Sequence, residues 1–178
     1  VSHDLVEKMN ASSVDAPRGV SEFDYAGLTV QPSRLVRPPR VGEVLGWEEV
    51  GALVSQRQAD HQRGDRPVFL VAAQYGFVAD LAFYVPGNPP IQHWDAPGHH
   101  GQQYLRFWND FAAHQGEDAL FVTRKESRVG DALPHLRKHF AEVGEVEAWD
   151  IRVEGKLVNR IWIVPCRGFD GVGMSTAE

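Results

Sequence analysis

The chain is poor in the residues that most often announce a chemistry. One cysteine among 178 residues, Cys166, excludes an internal disulfide and a multi-cysteine zinc site. It follows a strand-like run and reads as a buried thiol. An excess of positive charge is missing too: 18 Lys and Arg stand against 24 Asp and Glu, a formal net charge of −6. Binding a nucleic-acid backbone needs a basic stripe, and none is visible, so no nucleic-acid partner is expected. No run approaches the roughly 20 apolar residues that cross a bilayer, and no stretch reads as a signal peptide.

Motifs of self-sufficient enzymes are absent as well. A dinucleotide site would place a glycine-rich turn after the first buried strand. The turn here is Gln74-Tyr75-Gly76-Phe77, with a single glycine. There is no Walker A sequence and no Gly-x-Ser-x-Gly elbow. Ser127 has no base assigned to it. Among Asp95, Glu117, Asp118 and Glu126, nothing nominates two as a glycosidase pair. No catalytic residue and no cofactor are expected.

What remains is an ordinary globular composition, 43% apolar and 24% charged, sized for one domain with a sizeable core. Pro32, Pro38 and Pro39 break up residues 1–45, which read as an extended lead-in arm. Within the arm, Phe23, Tyr25, Leu28 and Val30 are apolar enough for one short strand or an ordered flap. From Gly46 to about Arg63, Trp47, Val50, Leu53 and Val54 recur at helical spacing, with Glu48 and Glu49 favourably placed in the first turn. Pro67 to Ala73 is an unbroken apolar run, the pattern of a strand buried on both faces.

A short helix over Phe77–Val85, stopped by Pro86-Gly87, and a strand over Ile91–Trp94 follow. Tyr104, Phe107, Trp108 and Phe111 make a helical aromatic stripe. Ala119–Val122 is another buried strand, and Asp131 is a plausible N-cap for a helix ending at Gly144. Alternation over 146–153 and 157–164, around Glu154-Gly155-Lys156, predicts an antiparallel hairpin. These elements predict an α/β domain over 46–166 and a flexible tail over 167–178. The expected architecture is a three-layer α/β/α sandwich, its sheet mainly parallel, with the C-terminal hairpin at one edge.

Histidine is the one metal-binding residue in supply. His93, His99 and His100 fall within eight residues and could surround zinc with Asp95, but the spacing matches no closed site. They stand as weak metal candidates. His135 and His139, one helical turn apart beside Lys138, read as surface helix. Better placed are Gln74, Tyr75, Gln103 and Tyr104. They lie at or near strand exits, the edge where open α/β sheets bind ligands, and they can hydrogen-bond a sugar hydroxyl or backbone. These four are the candidate substrate-binding residues.

Several segments together resemble a known family. Leu45-Gly46-Trp47-Glu48-Glu49-Val50 is similar to a helix start, and the run from Ala79 through Phe83-Tyr84-Val85-Pro86-Gly87-Asn88 to Pro90 is similar to a helix–turn. Gln74-Tyr75, Gln103-Tyr104 with Trp108, and the strand Glu117 to Val122 complete the match, over about residues 42–123. The resemblance is to the C-terminal soluble portion of bacterial glycosyltransferase family 39 proteins. These are polytopic membrane transferases similar to the aminoarabinose and protein mannosyl transferases.

That resemblance implies a non-catalytic domain on the extracytoplasmic face of the membrane. The domain would cap the transmembrane part of the same polypeptide or shape the entrance for a polyprenyl-phosphate sugar or a glycan acceptor. It also implies that the catalytic acid and the lipid-phosphate site lie in membrane-proximal loops outside this chain. A start on Val1 rather than Met fits an excised or processed piece. Two other classes stay open at this point: a free-standing metal-dependent enzyme using His93, His99 and His100, and a protein-interaction module recruited through the hairpin edge.

Overall fold

A computed structural model describes residues 23–25, 28–30, 45–94 and 109–172. The chain divides into two compact units, residues 1–40 and 41–178. In the first, β1 (Phe23–Tyr25) and β2 (Leu28–Val30) pair antiparallel, so the arm carries two short strands where the sequence predicted one.

The second unit is built on a six-stranded sheet. It opens with α1 (Trp47–His61), then β3 (Val68–Ala73), α2 (Tyr75–Tyr84) and β4 (Ile91–Trp94). A 3-10 turn (Phe111–His114) leads into β5 (Asp118–Thr123), α3 (Glu126–His139) and β6 (Phe140–Val143). The hairpin β7 (Glu147–Val153) and β8 (Lys156–Phe169) closes the unit. β3 lies between β4 and β5 and runs parallel to both. β8 is antiparallel to β5 on one side and to β6 and β7 on the other. Only β8 therefore opposes the common strand direction, so the expected mainly parallel sheet with a hairpin at one edge is present.

β6 and β7 share one side of β8, broken over 144–146. Pro165 of β8 has no N–H to offer there, and its carbonyl accepts from Gly144 N–H instead. Alternation of side chains sorts the core. Phe69, Val71, Ala73, Trp94 and Phe121 pack with Val129, Ala132 and Leu136 of α3. Val68, Leu70, Ala72, Leu120 and Val122 pack with Val50 and Val54 of α1 and with Phe77 and Leu81 of α2. Each fully buried side chain of this size contributes about 1.5–3 kcal/mol. All six residues of β3 are buried, which explains its unbroken apolar sequence.

Several expectations need correction. α3 starts at Glu126, five residues before Asp131, and ends at His139 instead of Gly144. Phe140, which continues the helical apolar spacing, is already in β6 and joins the aromatic cluster of Phe69 and Phe169. α3 carries Pro134 in its interior, where the ring removes one helical N–H donor. β8 continues to Phe169, so residues 167–169 are paired strand and not tail. His139 is buried and bonded to Asp170, not on a helix surface. No helix among the described residues is long and apolar enough to cross a membrane.

Candidate site at the carboxyl edge of the parallel strands

Three neighbouring parallel strands, β4, β3 and β5, end at Trp94, Ala73 and Thr123. Ala73 pairs with Trp94, and β3 runs against β5 at a constant offset from Val68↔Asp118 to Ala72↔Val122. Continuing that register sets Gln74 beside Arg124, one residue past each strand. Adjacent strands lie about 4.8 Å apart, so these strand exits are neighbours along the backbone, but the Trp94 ring packs against Phe121 on the α3 face while Arg124 lies over Trp47 and Phe77 on the α1/α2 face.

Among the described residues, each of the three has a buried polar atom without a hydrogen-bond partner: Gln74 Oε1, Trp94 Nε1 and Arg124 Nε. An unpaired buried donor or acceptor costs about 1–3 kcal/mol, and more when charged. Buried polar groups in stable domains are otherwise almost always paired.

Gln74 carries a second cost. It adopts φ 76° and ψ 124° at the junction of β3 and α2, a positive-φ conformation that L-residues with a Cβ rarely take. The strain turns the chain from strand into helix within one residue. Strain of this kind gathers at functional sites, where the surrounding fold holds it. Tyr75, the first residue of α2, is 44% exposed beside it.

Arg124 is held by aromatic faces. Its guanidinium lies 5.1 Å from the ring centre of Trp47 and 5.7 Å from that of Phe77, and the two rings are themselves 5.9 Å apart. Cation–π attraction of this sort is worth about 0.5–2 kcal/mol and fixes the group in place. Asp80, one turn along α2 from Phe77, is its nearest carboxyl by effect. Burial raises the Asp80 pKa, and the charge of Arg124 only partly offsets that. α2 and α3 both begin at this edge, and neither has a side-chain cap on its first N–H groups. The partial positive charge of those helix starts adds to Arg124.

Of the four residues the sequence nominated, Gln74 and Tyr75 are on this edge, while Gln103 and Tyr104 lie outside the described residues. Arg124, Trp94 and Asp80 were missed. The signal for Arg124 was available, since it follows the buried run of β5 just as Gln74 follows that of β3. The metal candidates fare differently. His93 is a buried residue of β4, its backbone N–H and carbonyl both bonded to the Asn109 side chain at 2.7 Å. His99 and His100 lie outside the described residues. Among the described residues, no three His, Cys, Asp or Glu side chains gather as an ion-binding group.

Two further polar clusters have structural tasks. The Gln92 amide carbonyl accepts from Asp110 N–H, and its Nε2–H donates to His114 Nε2 at 3.1 Å. His114 Nδ1 then meets Glu117 at 2.7 Å, and its ring stacks on Phe69 at 4.3 Å, so the chain of bonds anchors the segment before β5. Elsewhere, Arg57 of α1 grips Glu147 of β7 through two bonds of 3.0 and 2.6 Å, under the ring of Trp149. A hollow of about 260 Å³ beside the β6–β7 break is lined by His61, Glu142, Glu145, Glu147 and Arg167. Two of its carboxylates are already held by Arg57 and Arg167. Cys166 is 1% exposed and burial pushes its thiol up to about 12, the property of an inert core residue. No family model matches the chain, and no solved structure matches it significantly.

Proposed function

We propose that this chain is a non-catalytic, extracytoplasmic domain of a membrane glycosyltransferase that uses a polyprenyl-phosphate sugar donor. In this reading the domain is a three-layer α/β/α sandwich, with α1 and α2 on one face of the sheet and α3 on the other. Its carboxyl edge faces the substrate entrance formed with the transmembrane part of the same polypeptide.

The resemblance to glycosyltransferase family 39 proteins supports the reading, and its segments map onto the elements that build the edge. The helix start Gly46-Trp47 supplies the ring that holds Arg124. Gln74-Tyr75 forms the strained exit of β3, and the helix and turn from Ala79 to Pro90 connect that exit to β4. The observation that carries the proposal is the pair of neighbouring strand exits Gln74 and Arg124, whose buried Oε1 and Nε have no hydrogen-bond partner among the described residues.

The test uses the full-length transferase in membranes. Gln74→Ala and Arg124→Met should each lower sugar transfer from a polyprenyl-phosphate donor while leaving membrane insertion unchanged. Full transfer in both variants would remove the edge from the reaction. A reading frame upstream of Val1 that encodes no hydrophobic spans would remove the membrane assignment altogether.

A further inference from the structure

The polar cluster between β4 and β5 fixes the position of a proton. Gln92 of β4 is 2% exposed, and its side-chain amide meets two groups. One end lies 2.8 Å from the backbone nitrogen of Asp110, which can only donate, so that end is the amide oxygen. The other end is then the NH2 group, 3.1 Å from His114 Nε2, which must accept. His114 accordingly carries its proton on Nδ1 and donates it to Glu117 at 2.7 Å. A single backbone N–H thus dictates both the tautomer and the uncharged form of the ring. The ring has little room to turn, since it stacks on Phe69 with 4.3 Å between centres and 12° between planes.

The same bonds fasten a sheet edge. Among the described residues, β4 pairs with β3 on one side and with no strand on the other. Asn109 takes that place: its side chain accepts from His93 N–H and donates to the His93 carbonyl, both at 2.7 Å. Asp110, next in the chain, is tied down by Gln92, so residues 109–114 clasp the outer edge of β4. A proton added to His114 Nε2 would set an N–H against the Gln92 NH2. Glu117 and the face of Phe69 hold the charged ring where it is. Turning the Gln92 amide over meets the new N–H with an oxygen, but then the NH2 faces Asp110 N–H. One donor loses its acceptor either way, and exposed Asp110 is the one that can turn to water. The other charged groups nearby are engaged: the Asp110 carboxylate bonds Ala113 N–H, Asp118 of β5 takes Gly168 N–H, and Asp170 is bonded to His139. Among the described residues, no lysine or arginine pairs with Glu117.

We propose that residues 109–114 form an acid-sensitive clasp on the edge strand β4, with His114 as its trigger. While the imidazole is neutral the clasp is closed. Protonation breaks the bond from Asp110 N–H to Gln92, loosens Asn109 from His93 and bares the outer backbone groups of β4. Histidine is the side chain whose charge changes between about pH 5 and 8, so ordinary acidification reaches the trigger. A bared strand edge is open to pairing with another chain. The inference stands apart from the transferase reading.

The experiment is nuclear magnetic resonance on the whole chain across the histidine range. It follows the His114 ring signals together with hydrogen-exchange protection of the Asp110 and His93 amides, each corrected for the intrinsic pH dependence of exchange. Protection of Asp110 should fall about tenfold with the midpoint of the His114 titration, the loss of one hydrogen bond, and His93 should follow in the same direction. Gln92→Glu supplies two acceptor oxygens, which meet Asp110 N–H and a protonated His114 at once, so the fall should disappear. His114→Phe keeps a ring on Phe69, has nothing to titrate, and should likewise leave protection independent of pH. Constant protection of either amide across the His114 titration, or an undiminished fall in Gln92→Glu, would overturn the proposal. Should Gln92→Glu fail to fold, His114→Phe decides instead, and an undiminished fall there would overturn it equally.

Discussion

At the scale of single residues, the carboxyl edge trades stability for exposed chemistry. Gln74 holds a backbone conformation that glycine would adopt without strain, and its amide oxygen is buried unpaired. Replacing it with glycine should raise stability by about 1 kcal/mol in urea or thermal unfolding. A loss of stability in Gln74→Gly would mean that the amide supports the fold. Asp80 makes a comparable statement with its charge. Its pKa is raised in the native state, so the folded chain holds the proton more tightly than the unfolded chain does. The ionised carboxylate therefore lowers stability once pH passes the raised native value, and the penalty vanishes as pH falls through the ordinary carboxylate range. Asp80→Asn should accordingly raise the thermal midpoint near neutral pH, with the gain shrinking to nothing in acid. A gain that persists in acid would contradict the charge-based cause.

The elements are held to the sheet by close approach and by a few specific ties. α1 crosses α2 at Gly51, where an added Cβ would sit 2.1 Å from the Tyr84 carbonyl oxygen. Because the obstruction is backbone, it cannot step aside. Gly51→Ala should cost about 2–3 kcal/mol in denaturant unfolding, far more than an alanine in a free helix, where it would stabilise. α1 is tied to β7 by the paired bonds of Arg57 to Glu147. Both groups are about four-fifths covered, so Arg57→Ala should cost about 1 kcal/mol and not the near-zero of an exposed pair. The buried strands were legible because unbroken apolar runs have few other homes. The boundaries of α3 were not. Glu126-Ser127-Arg128 carries no strong start signal, and Phe140 fits a helix stripe and a strand equally well until the pairing with Phe169 decides.

For the molecule as a whole, the two apolar clusters draw their buried residues, among the described ones, from 47–169. A chain shortened to 41–178 should therefore keep the same cooperative thermal transition and near-ultraviolet dichroism. Loss of that transition would show that residues 1–40 complete the core. Five of the six strands share one direction because β3, β4, β5, β6 and β7 enter the sheet from the same end, while β8 returns as the second arm of a hairpin. That common direction puts the exits of β4, β3 and β5 side by side, and with them the residues that follow.

Sequence alone determined the succession of α1, β3, α2 and β4, the buried strand β5, the buried thiol of Cys166 and the hairpin around Glu154-Gly155. It also placed Gln74 and Tyr75 at a strand exit. These follow from local patterns of polarity and from turn-forming residues, which act over a few positions. Tertiary structure alone decided that Arg124 lies between Trp47 and Phe77, that His93 and His139 are interior, and that Trp94 stands beside Ala73. Those facts depend on strand order and register, which bring together residues dozens of positions apart and leave no mark in any single stretch of chain.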